Sequence, residues 1–283
     1  MAEEARRGDF HMRTSIFVAT AIAALTLLGP AAKADSFVIT YGAPGAQTPD
    51  SAIMAGATVL GTETFDSQTP GFGGFTTNYG TAGAITGAYS SGAFISAPTE
   101  FGGAGGTGQF VDAIGGTAGY TIMLSMSGAA HGVNYFGYWL SALDMGNQLE
   151  FLRGGTVVDT FTPADLIAAL GACTGSNPYC GNPNPPFLGD DPSQPYAYVN
   201  FVDTSGFFDE IEVTENPAIG NYESDNHTVA YCGDVQACIS GKVVTTPEPS
   251  AIVLLGAGLM SLLALSLLAF EARRQRNALP TTL

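Results

Sequence analysis

Basic side chains are almost missing from the body of this 283-residue chain. Between Asp35 and Pro249 only Arg153 and Lys242 carry positive charge, against twenty-one Asp and Glu, a net of −19. A surface so acidic repels nucleic acid and anionic lipid, which excludes nucleic acid as a partner, and its ordinary use is to keep an exported protein soluble. Histidine is as scarce, with only His131 and His227 in this region. Neither accompanies a Gly-x-Ser-x-Gly elbow, so Ser/His/Asp hydrolysis is not indicated and both are read as ordinary strand-edge residues. The glycine-rich GGAGGTGQF, residues 102–110, lacks the Lys-Ser/Thr of a phosphate cradle and is read as a flexible loop. Neighbouring carboxylates, as in Asp209-Glu210-x-Glu212 and Asp190-Asp191, only share a strand face or a turn, which is no glycosidase pair. Cys-x-x-Cys is absent, and with it the usual zinc spacing. No catalytic residue and no cofactor is assigned.

Charge is also missing from two apolar runs, one near each end. Ala251–Phe270 is twenty residues without a charge, and Arg273, Arg274 and Arg276 follow it. A hydrocarbon core is about 30 Å thick and a helix rises about 1.5 Å per residue, so this run is long enough to cross a bilayer. Pro247-Glu248-Pro249 cannot extend the helix backwards, which sets its start near Ser250, and the arginines favour the cytoplasmic side. Near the other end, Arg13 precedes an apolar run from Ile16 to Leu28, a Gly29-Pro30 break, and Ala32-Lys33-Ala34. That is the layout of a signal peptide cut after Ala34, with Asp35 as the first mature residue. Residues 1–11 are too charged to precede a signal peptide, which places the start at Met12.

What is present in between is strand. SFVITYG, ATVLGTETF, GAITGAYSS, GQFVDAI, YTIMLSMS, NYFGYWLSAL, NQLEFLRGGTVVDTF, YAYVNFVD, FDEIEVTE and HTVAYC are rich in β-branched and aromatic residues and are separated by glycine and proline. In the seventh, Leu149, Phe151, Thr156, Val158 and Thr160 flank Gly154-Gly155, the signature of a tight hairpin. One segment reads as helix: Thr162-Pro163-Ala164-Asp165 leads into LIAALGA and should cap one end of a sheet. About ten short strands without alternating long helices imply an all-β, antiparallel jelly-roll-like sandwich. The organisation is then 1–34 extension and signal peptide, 35–245 β-sandwich ectodomain, and 246–277 apolar tail. Cys173, Cys180, Cys232 and Cys238 all fall in the exported part, and an even count there reads as two disulfides. Three pairings are possible; the local ones, Cys173 with Cys180 and Cys232 with Cys238, are favoured.

Signal peptide, glycine-rich acidic ectodomain, Pro247-Glu248-Pro249, membrane helix and arginine cluster, in that order, resemble the PEP-CTERM proteins of Gram-negative bacteria. The run from Asn134 to Asp165, continued by YAYVNFVD and FDEIEVTE, is similar to a pattern in their ectodomains, from which the long proline-rich insertion 173–195 departs. The resemblance implies sorting by an exosortase after signal peptidase, an inner-membrane intermediate, and a final place at the cell surface or in the extracellular matrix. It also implies a non-enzymatic role with exopolysaccharide in biofilm. The alternative is a lectin-like carbohydrate-binding module in which Tyr135, Phe136, Tyr138, Trp139, Tyr196 and Tyr198 stack on sugar rings. Such a module could use Ca²⁺, and oxygen ligands for it would come from Glu63 and Asp66 with Glu223 and Asp225. The two readings part on whether Tyr138, Trp139 and Tyr198 reach the surface.

Overall fold

The structure, a computed structural model, describes residues 36–80, 83–127 and 132–244. These form two antiparallel sheets packed face to face. The larger sheet contains β1 (Phe37–Tyr41), β2 (Val59–Glu63), β3 (Gly71–Phe72), β6 (Phe94–Ser96), β7 (Phe110–Ile114), β9 (Tyr135–Leu140), β12 (Ala197–Asp203), β14 (Asn221–Tyr231) and β15 (Lys242–Val243). Its order is β15-β1-β12-β9-β14-β7-β6-β3, and β2 also pairs with β14. The smaller sheet contains β4 (Phe75–Tyr79), β5 (Ile85–Tyr89), β8 (Tyr120–Met126), β10 (Asn147–Arg153), β11 (Thr156–Phe161) and β13 (Glu210–Glu215), in the order β11-β10-β13-β8-β5-β4.

The smaller sheet follows the period of two. Tyr120, Ile122 and Leu124 of β8 and Ile211 and Val213 of β13 point inward, while Glu210 and Glu212 face out. In the larger sheet, β9 and β12 are buried along their whole length, because loops cover the outer face as well. YFGYWL and AYVNFVD are therefore nearly continuous apolar runs, as strands covered on both sides must be. Phe136, Tyr138 and Phe201 of the larger sheet meet Phe151 and Ile211 of the smaller one in the core.

Every strand read from the sequence is present, and Gly154 and Gly155 turn the β10–β11 hairpin with φ of +56° and +75°. Helix α2 (Ala164–Leu170) follows Pro163, which has helical dihedrals and accepts the Ile167 N–H, although no side chain caps the end. Tyr41 Oη donates to Ala169 O, so this helix does cover one end of the larger sheet. The reading missed β3, β4, β6 and β15, and it began β14 at His227 rather than at Asn221. It also missed helix α1 (Ser51–Gly56), where the Asp50 carboxylate accepts the Ala52 N–H. Both disulfides are local: Cys173–Cys180 and Cys232–Cys238. Among the described residues no cysteine is free, and two disulfides indicate an oxidising, extracytoplasmic compartment.

The chain enters and leaves the domain along one edge. β15 lies antiparallel on β1, and Val244 N–H donates to Ile39 O as the chain runs back toward Ser36. Ser36 is held by Thr204 and Ser205. At the far end of the same strands lie the loops 42–50, 115–119, 141–146, 173–195 and 216–220.

Candidate functional site

The polar centre of the molecule was not expected from the sequence. His227 is not at a strand edge; it sits between the sheets on β14, 1% exposed. The pairing of β14 with β9 slips between Asp225 and Thr228, where Asn226 takes φ of +49°. This bulge lets Ser224 and His227 both turn inward. His227 Nε2 lies 2.9 Å from Ser224 Oγ, and its Nδ1 lies 3.0 Å from Tyr89 Oη. Tyr89 Oη in turn meets Tyr79 Oη at 2.5 Å. Phe65, Phe136 and Tyr138 set ring edges and faces around the imidazole. Burial lowers the imidazole pKa to about 3, so the ring is neutral.

A serine hydroxyl against a neutral imidazole is the pair that makes a nucleophile and its base. Here both are sealed, and the second ring nitrogen faces a tyrosine rather than a carboxylate. The chain Ser224–His227–Tyr89–Tyr79 is closed off from solvent and joins the two sheets, each buried polar group satisfying the next.

Carboxylates gather on the outer face of the larger sheet. Asp112 and Glu223 are paired residues of β7 and β14, and Asp225 stands opposite Trp139. Burial raises Asp112 to about 7 and Asp225 to about 7. Glu223 is raised to about 8, by burial first and then by Asp112. Asp112 accepts a hydrogen bond from Ser96 and leaves its second oxygen without a partner. At the end of the sheet Glu215 is raised to about 6 by burial and by Asp144, while it accepts from Asn147 Nδ2 and Gly220 N–H.

The four candidate calcium ligands do not form one cluster, although Asp66 and Glu63 lie near enough to Asp225 to add to the rise that burial gives its carboxyl pKa. Glu63 accepts from the Phe65 N–H and Gln68, and Asp66 accepts from Thr64 and the Gln109 N–H. Asp225 accepts the Ala104 and Asn226 N–H groups, whereas Glu223 faces Asp112. Among the described residues no group of three or more His, Cys, Asp or Glu side chains is placed to hold a metal ion.

Tyr135, Phe136, Tyr138, Trp139, Tyr196 and Tyr198 are all buried. Trp139, Tyr196 and Tyr198 do point away from the core, but Ala46 and Ala104 of the covering loops close over them. The sugar-stacking platform is therefore not at the surface. The loop that holds Ala104 is hydrogen-bonded to its surroundings, since the Ala104 N–H donates to Asp225 and Asn182 Nδ2 donates to Glu100 O. Two depressions of about 240 and 430 Å³ are open: the first is lined by Ala43, Ala46, Asp50 and Tyr198 and so reaches one edge of this aromatic cluster, and the second lies beside Gly116 and Ile219.

The processing residues Ala32, Ala34 and Asp35, the motif Pro247, Glu248 and Pro249, the cluster Arg273, Arg274 and Arg276, and His131 lie outside the described residues. Among the described residues no helix is long and apolar enough to cross a membrane. No family model, curated protein or solved structure matches the chain.

Proposed function

We propose that this chain is an exported, non-enzymatic surface or matrix protein of a Gram-negative bacterium, sorted by an exosortase in the manner of PEP-CTERM proteins and associated with exopolysaccharide. The ectodomain is read as a jelly-roll-like sandwich between a removed signal peptide and a tail that is both anchor and address. The observation that carries this reading is the order of residues 247–276: Pro247-Glu248-Pro249, an uncharged twenty-residue run, then three arginines. An anchor alone needs only the apolar span and the basic end. Proline fixes φ and removes a donor, so the triplet holds an extended strand at the outer face of the inner membrane, where a transpeptidase-like enzyme can grip it. The disulfides support export, and the sealed Ser224–His227 pair supports a role without catalysis.

Replacing Pro247, Glu248 and Pro249 with alanine tests the sorting step. Hydrophobicity drives insertion, so the variant should enter the inner membrane normally and stay there with its tail uncut. Fractionation with intact-mass measurement reads both. A triple-alanine protein that reaches the surface without its C-terminal helix would reduce the segment to a simple anchor.

A further inference from the structure

The insertion between Cys180 and Tyr196 contains Asp191-Pro192, the one Asp-Pro bond of the chain. Asp191 is held in the left-handed region, φ +50°, which residues with a side chain enter at a cost. Its position is enforced from both sides. Asn182 N–H donates to Asp190 O at 2.8 Å, Gly181 N–H donates to Gln194 O at 3.1 Å, and Cys180 bridges Pro195. Around the bond to Pro192 three groups are set. Tyr196 Oη, which donates to Glu100 O at 2.7 Å, lies 3.1 Å from Asp191 Oδ2, and Ser193 Oγ donates to Oδ1 at 3.4 Å, which turns Oδ1 toward the chain beyond Pro192. Gln194 N–H donates to the Asp191 carbonyl oxygen at 3.3 Å. Tyr196 and Glu100 are the titratable groups that face the carboxyl, and Asp190 precedes it in the chain. Burial raises the carboxyl pKa, so it keeps its proton in milder acid than an ordinary aspartate.

We propose that Asp191 cleaves its own peptide bond to Pro192 under mildly acidic conditions. Oδ1 forms a bond to the Asp191 carbonyl carbon and closes a five-membered cyclic anhydride. The bond from that carbon to the Pro192 nitrogen breaks, and the carboxyl proton passes to this nitrogen, which leaves as a secondary amine. One water then opens the anhydride and restores both carboxyl groups, so the net change is hydrolysis. The Gln194 N–H faces the oxygen on which negative charge develops, and Tyr196 holds the second carboxyl oxygen while the first attacks. Asp191 is part-exposed and Pro192 exposed, which gives water access to the anhydride. The nicked chain would not fall apart, because β12, just after the break, is paired between β1 and β9. This inference does not depend on the sorting tail.

The full chain in detergent can be held at about pH 4 and about pH 8, either folded or unfolded in urea, and followed by intact mass and N-terminal sequencing under denaturing conditions. The expected result is a fragment beginning at Pro192 and a pair of masses exceeding the parent by one water. At the acidic pH the folded chain should cleave at least about tenfold faster than the unfolded one. Pro192→Ala, at an exposed position, should stop cleavage, and Tyr196→Phe should slow it severalfold. If folded protein cleaves no faster than unfolded protein, the reaction is only the acid lability of any Asp-Pro bond and the proposal fails; absence of the Pro192 fragment also overturns it.

Discussion

At the scale of single residues, the unusual feature is a set of carboxyl groups that the fold keeps protonated. Asp112, Asp225 and Glu223 titrate at about 7, 7 and 8 when folded, chiefly because burial removes their hydration. In the unfolded chain they lose protons near about pH 4. Above that point the folded state holds more protons than the unfolded one, so stability falls as pH rises through the folded values. His227 works the other way, since its folded value near 3 lies below the unfolded one, and its opposing effect fades out by about pH 7.5. Between about pH 6.5 and 8 the carboxyls outweigh it. Urea unfolding should show stability dropping by about 3 kcal/mol over that window, and the Asp112→Asn, Glu223→Gln double variant should remove most of the drop, leaving the share of Asp225. Rising stability with pH there would show that these carboxyls are ionised in the fold.

At the scale of elements, the two disulfides should behave differently. Cys232 and Cys238 are buried against Ile53 of α1, whereas Cys173 and Cys180 are part-exposed at the start of the insertion. Exchange requires access to sulfur, so mild reductant should open Cys173–Cys180 first, as differential alkylation would show. Each closes a short loop worth about 2 to 3 kcal/mol, so reduction should loosen loops and leave the sandwich folded by circular dichroism. The elements were legible where one residue type decides them: Gly154-Gly155 supplies the positive φ a two-residue hairpin needs, and alternation marks β8 and β13. They were not legible where the partner supplies the order. FTTNY of β4 and FIS of β6 are short and half-polar, and become strands because β5 and β7 offer them ladder bonds. The polar centre was hidden for a related reason. Nothing local in NYESDNHTVAY announces the bulge that turns both Ser224 and His227 inward. Burial of Trp139 was equally hidden, because a loop far off in sequence covers it.

At the scale of the whole molecule, the sorting reading and the fold meet at the edge where β15 lies on β1. Six residues separate Val244 from Ala251. Fully extended, that distance is at most about 25 Å. Under the sorting proposal, an inserted tail would therefore hold the terminus-bearing end close over the bilayer and turn the insertion loop outward. Protease added to intact spheroplasts should cut near Leu188, which is exposed, before it cuts near Gly233 at the membrane-side end. The reverse order would mean that the domain does not stand on the bilayer in this way. Joining entry and exit at one corner has a mechanical meaning as well. A load applied between the processed N-terminus and the tail acts on the last two residues of the sheet, and would peel β15 from β1 one ladder bond at a time. The rest of the sandwich would lie outside the path of the force. With the attachment proposed above, a tug on the tail would leave the loops at the far end in shape.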